Sequence, residues 1–115
     1  MLIDHRTYTF HPGQLPEFLT VFEREGLPLQ KKYCGNLIGY FTSDTGELNQ
    51  VIQLWAYRDA RDRDLRRAAL WQDPAFVELG KKLLPLICRQ ESRLLKPTQF
   101  SPQPWDLQWD GPAWA

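Results

Sequence analysis

Residues 36–59, "NLIGYFTSDTGELNQVIQLWAYRD", hold two runs rich in β-branched and aromatic side chains on either side of a polar stretch. Asp44 and Gly46 sit in that stretch and supply the unusual backbone angles of a tight reversal, so the segment predicts a β-hairpin. Upstream, "LIDHRTYTF" is again rich in β-branched and aromatic residues and is closed by Pro12-Gly13, which reads as a first strand. Between strand and hairpin the period changes. Leu15, Phe18, Leu19 and Phe22 follow helical spacing, and Gly26 with Pro28 is expected to interrupt or kink that helix because Pro28 lacks a backbone donor.

Downstream of the hairpin, Asp59 is a candidate N-cap for the helix-favouring run "ARDRDLRRAAL". Asp73-Pro74 repeats the cap signal and predicts a separate helix to about Leu84, which Pro85 ends. "LICRQESRLL" reads as the last strand, Ile87, Arg89, Glu91, Arg93 and Leu95 on one side, Leu86, Cys88, Gln90, Ser92 and Leu94 on the other. The order β-α-β-β-α-β predicts an α+β, ferredoxin-like βαββαβ domain over residues 1–96: a four-stranded antiparallel sheet with helices on one face. Residues 97–115 form a Pro/Trp-rich C-terminal tail carrying Trp105, Trp109 and Trp114, expected to dock on the domain and bury at least Trp105. The uncovered face of such a sheet is most simply closed by a second copy, so a C2 homodimer is the expected assembly.

Fourteen acidic and fourteen basic residues balance, which excludes the basic field that drives binding to nucleic acid. No apolar run approaches the roughly 18 residues of a membrane span, and "MLIDHRTYTF" resembles neither a secretory signal nor a transit peptide, so a cytoplasmic chain is expected. Cys34 and Cys88 form no C-x-x-C pair and read as buried, reduced thiols. In "RDARDRDLRRA" the acids interleave with the arginines, as on a salt-bridged, solvated helix face.

Parity along the third strand puts Val51, Gln53, Trp55 and Tyr57 on one side and Ile52, Leu54 and Ala56 on the other. Taking the second set as core leaves Gln53, Trp55 and Tyr57 on the open face. There Arg6 and Tyr8 from the first strand and Glu91 and Arg93 from the last are expected to join them around a small-molecule cavity between two subunits. A guanidinium beside aromatic hydroxyls suits an anionic oxygen. The structural alternative is an Asp4/Arg6/Glu91/Arg93 ladder that fixes register and dimer geometry. His5 fits a general base, an axial haem ligand or a hydrogen-bonded histidine at the helix-sheet seam, and His11 an exposed turn. No metal-ligand spacing, nucleophile motif or phosphate-cradling glycine loop is present, so no cofactor is expected.

Four stretches, "IDHRTYTFHPGQLPEF", "FEREGLPLQKKYCGNLIGYFTSDTGELNQVIQLWAYRD", "RRAALWQDPAF" and "ESRLLKPTQFSP", together resemble the NIPSNAP family over about residues 2–102. The resemblance implies a dimeric α/β barrel built on a ferredoxin-like subunit, and a biochemical role that is poorly defined across the family. The wider superfamily includes cofactor-free monooxygenases, haem-degrading enzymes, muconolactone-type isomerases and stress-response modules, so it permits an oxygenase, an isomerase or a non-catalytic assembly module without selecting one.

Overall fold

The computed structural model describes residues 1–109. The strands are β1 (Leu2–Phe10), β2 (Asn36–Thr42), β3 (Gln50–Tyr57) and β4 (Ile87–Leu95), arranged β2-β3-β1-β4 with every neighbouring pair antiparallel. The helices are α1 (Leu15–Val21) and α2 (Leu27–Tyr33) before the hairpin, and α3 (Ala60–Gln72) and α4 (Pro74–Leu83) after it. The chain is therefore the ferredoxin-like α+β fold that the hairpin and its flanks predict, with the helices packed on one sheet face.

Pro28 does not break the first helical segment. A π turn, Phe22–Gly26, joins α1 to α2, and the Leu27 amide donates to the Phe22 carbonyl across five residues. That wider turn carries the chain past a residue with no N–H to give. Gly26 is needed there for space, because a Cβ at this position would lie 2.6 Å from the Phe22 ring. In the hairpin, Gly46 has the expected positive φ of 79°, but the second such residue is Asn49 at 62° rather than Asp44. The predicted caps form: Asp59 accepts from the Asp62 amide at 2.8 Å and Asp73 from the Ala75 amide at 2.9 Å.

Register fixes which side chains share a face. Arg6 lies between Gln53 and Ser92, Tyr8 between Val51 and Gln90, and Asp4 between Trp55 and Leu94. This face lies beneath the helices. Val51, Gln53, Trp55 and Tyr57 are all essentially buried, Trp55 and Tyr57 packing with Cys34 and Leu70 while Val51 joins Phe10, Phe18, Phe22, Leu79 and Leu83. The opposite face carries Ile52, Leu54, His5, Thr7, Glu91 and Arg93. The sequence-based assignment of faces along β3 is thus reversed: Ile52 and Leu54 are half-exposed on the open side, while Ala56 is buried.

Cys34 is buried as expected, packed with Trp55, Tyr57 and Leu70, and burial pushes its thiol up; Cys88, expected to be buried, is exposed as the extra residue of a bulge between Thr9 and Phe10 of the β1-β4 ladder. That bulge swings Ile87 to the helix side with Phe10, out of step with Arg89, Glu91 and Arg93. In the tail, Asn36 and Gln108 exchange two hydrogen bonds, Arg58 donates to the Trp109 carbonyl and Trp105 is half-buried. Trp114 lies outside the described residues.

Candidate functional site

Between the sheet and the helices lies a cavity of about 110 Å³. Its walls are apolar: Phe18 of α1, Phe22 of the π turn, Trp71 of α3, and Phe76, Leu79 and Leu83 of α4. Trp71 and Phe76 meet edge to face at 4.8 Å across the α3-α4 corner that Asp73-Pro74 creates. Its polar groups come from different elements, Arg6 and Tyr8 on β1, Gln30 on α2, Arg67 on α3 and Gln90 on β4. An apolar body with a few convergent polar groups is the composition of a small-molecule site.

Arg6 is held from behind. Its Nη1 donates to Asp4 Oδ2 at 3.2 Å and its Nε to the Tyr8 hydroxyl at 3.1 Å, and the guanidinium lies 5.5 Å from the Tyr8 ring centre. Asp4, fully buried, also accepts from Arg63 Nε at 2.9 Å and Ser92 Oγ at 2.6 Å. Burial alone would push the Asp4 carboxyl up, but the Ser92 and Arg63 hydrogen bonds and the charges of Arg6 and Arg63 together hold it below its ordinary value. The carboxylate therefore stays ionised and fixes the angle at which Arg6 meets the cavity. A second buried pair, Arg66 Nε to Asp62 Oδ1 at 2.7 Å, ties α3 to α2 because Arg66 Nη1 also reaches the Tyr33 carbonyl at 3.2 Å. Arg67 lines the cavity, is half-buried, and forms no ion pair among the described residues.

The profile of the NIPSNAP family matches residues 3–102. This chain belongs to the NIPSNAP family. It is 36% identical over 98 residues to human protein NipSnap homolog 2, covering 84% of this chain and 33% of that protein; the chain spans about a third of the length of the curated relatives it matches. An uncharacterised NIPSNAP-like domain protein from Burkholderia xenovorans superimposes with a TM-score of 0.88 at 42% identity, over 95% of this chain and 94% of that one. A protein from Agrobacterium tumefaciens gives 0.87 at 39%, over 89% and 98%. The fold alone extends further. SnoaB, a cofactor-independent oxygenase from Streptomyces nogalater, superimposes with a TM-score of 0.55 at 18% identity over 89% of this chain and 97% of that one, and an antibiotic biosynthesis monooxygenase gives 0.61 at 11% over 85% and 99%. The NIPSNAP subunit therefore shares its fold with these two proteins.

Of the seven residues that strand parity groups around a ligand, the structure brings Arg6 and Tyr8 to the cavity. Gln53, Trp55 and Tyr57 share their face but are sealed under the helices, where Trp55 Nε1 donates to Gln53 Oε1 at 2.7 Å. Glu91 and Arg93 are not with them. They stand opposite Thr7 and His5 on the open face and pair with each other at 2.8 Å. The Asp4/Arg6/Glu91/Arg93 ladder is split accordingly, because residues 90 and 92, not 91 and 93, share the Arg6 face. His5 lies on the open face rather than at the helix-sheet seam, and His11 is exposed. The helix read as a solvated salt-bridged face turns Asp62, Arg66 and Leu70 inward. Gln30, Arg67 and Trp71 escape a strand-based search. Among the described residues no cluster of histidine, cysteine and carboxylates is placed to hold a metal, and no helix is long and apolar enough to cross a membrane.

Proposed function

We propose that this NIPSNAP domain binds a small, largely apolar molecule bearing an anionic oxygen, and that it does so within each subunit, between sheet and helices. The observation that carries this reading is the pairing of an aromatic and aliphatic cavity with two guanidiniums, one anchored by Asp4 and the other in no ion pair among the described residues. An apolar cavity of roughly 150 Å³ accommodates benzene, and at about 110 Å³ this one is smaller, so the apolar body is at most a single ring, with its carboxylate, enolate or phenolate at Arg6 and Arg67. The open face, with Ile52, Leu54 and a Phe41 that is 54% exposed, is then free to close against a second copy as a homodimer.

Calorimetric titration with benzoate tests the site. Arg67→Leu removes one of the two guanidiniums without touching the Asp4 cluster and should weaken binding by roughly ten- to a hundredfold, the range of a charge-assisted hydrogen bond. Benzoate binding of equal strength to both proteins would contradict the assignment. Sedimentation of Leu54→Glu tests the assembly: a shift from dimer to monomer supports it, and an unchanged state opposes it.

A catalytic version is narrowed by the same geometry. Of the tyrosine, histidine and glutamate groups considered as proton carriers, Tyr8 lines the cavity while His5 and Glu91 lie on the opposite sheet face. A cofactor-independent oxygenase or isomerase on this scaffold would use Tyr8, with Arg6 holding the hydroxyl in place at 3.1 Å. Tyr8→Phe should then abolish turnover of an activated phenolic substrate while sparing its binding.

A further inference from the structure

Gln30 is 7% exposed, lines the cavity, and its Oε1 has no hydrogen-bond partner among the described residues. Its backbone carbonyl is occupied at the end of α2, accepting from the Cys34 amide at 2.7 Å and the Gly35 amide at 3.4 Å. The side chain is left to the cavity. The position is not one a helix would fill with glutamine for its own sake: Phe18, Phe22, Gly26 and Gln30 recur every four residues and all four are buried. An amide on that stripe forgoes the packing of an apolar residue and carries the cost of an unsatisfied acceptor. The Tyr40 hydroxyl, on β2, is likewise buried without a partner among the described residues, and its ring stacks on Phe22 at 5.2 Å.

We infer that Gln30 is a specificity-determining residue, and that the molecule held here carries a neutral hydrogen-bond donor, a ring hydroxyl, in addition to its anionic oxygen. The inference rests on the binding site proposed above. The chemistry is complementary at both ends. Arg6 and Arg67 only donate and so demand acceptors, whereas Gln30 Oε1 only accepts and so demands an O–H or N–H. A plain aromatic acid would satisfy the arginines and leave the Gln30 oxygen buried and unpaired, and a site built around a hydroxyl rejects the analogue that lacks one far more strongly than a hydrophobic slot rejects a missing methylene. The favoured class is a single-ring hydroxy acid or the enol form of a related carbonyl compound.

The test uses the whole chain, titrated with benzoate, its three monohydroxy isomers and the three methoxy analogues, on wild type and Gln30→Met. At least one hydroxybenzoate should bind wild type about tenfold or more tightly than benzoate. That preference should vanish in Gln30→Met while benzoate affinity is retained, and the variant should unfold at the same temperature as wild type or higher, since it removes an unpaired buried acceptor. Equal binding of benzoate and every hydroxy isomer to wild type would overturn the role of Gln30 and leave the site standing. A preference surviving in Gln30→Met, or methoxy analogues binding as well as hydroxy ones, would overturn it too. A large drop in stability of Gln30→Met would also count against it, by showing that the amide serves the fold. If none of the acids binds at millimolar concentration, the site itself falls.

Discussion

The two faces of one sheet solve the same problem in opposite ways. Beneath the helices, Asp4, Arg6, Gln53 and Trp55 are polar or partly polar, yet buried, and Asp4, Arg6 and the Gln53-Trp55 pair are joined by hydrogen bonds of 2.6–3.2 Å. On the other face, Ile52 and Leu54 are apolar yet half-exposed, while Glu91 and Arg93 pair with each other and Arg89 with Glu47 at the surface. Polarity alone therefore assigns the faces wrongly. What matters is whether a polar group finds its partners: a satisfied carboxylate can form part of a core, whereas an apolar strand face with nothing over it is a surface awaiting cover.

Truncation should separate the two faces most sharply. Asp4→Ala leaves Arg6 and Arg63 without their shared buried carboxylate and should cost about 3–5 kcal/mol, and Trp55→Ala a similar amount through the cavity it opens. Both are measured by urea unfolding. Gly26→Ala should come next, at about 1–3 kcal/mol, because the new methyl must displace the Phe22 ring and narrow the cavity with it. Trp55→Phe preserves most of the packing but strands Gln53 Oε1, a loss of about 1–3 kcal/mol. Glu91→Gln, on the open face, should leave the urea midpoint unchanged.

Acid should act through the same buried carboxylate. Asp4 is held below its ordinary value in the folded chain, so its contribution is fully present above the unfolded carboxyl value of about 3.9 and disappears as pH falls through the lower folded one. Stability measured from pH 5 downward should therefore fall more steeply in wild type than in Asp4→Asn. Parallel curves would mean that Asp4 is not a principal source of acid lability.

The βαββαβ order was legible because each boundary is written in local chemistry: Pro12-Gly13, Asp59, Asp73-Pro74 and Pro85 stop or start elements whatever surrounds them. Pro28 is the exception, since the π turn that absorbs it depends on Gly26 making room for Phe22. The site was half legible. Strand parity correctly groups Arg6 and Tyr8 with Gln53 and Trp55, because a period of two survives any tertiary context. It cannot say which side of the sheet the helices take, nor foresee how β4 aligns with β1, which places Gln90 and Ser92 rather than Glu91 and Arg93 beside them. Gln30 was within reach. A glutamine four residues on from Phe18, Phe22 and Gly26 is a polar residue on a buried stripe, and that pattern is visible before any coordinates are.

The central claim, that the ligand sits on the helix side of the sheet within one subunit, is tested most directly by the indole N–H signals of the protein during addition of benzoate. Trp71 lines the cavity, whereas Trp55 is outside its lining, packed with Cys34, Tyr57 and Leu70 and bonded to Gln53. The Trp71 signal should move in a saturable way while Trp55 stays in place. A still Trp71, with shifts confined to Thr7, Leu54 and Arg93 on the open face, would put the binding site between subunits and contradict the account.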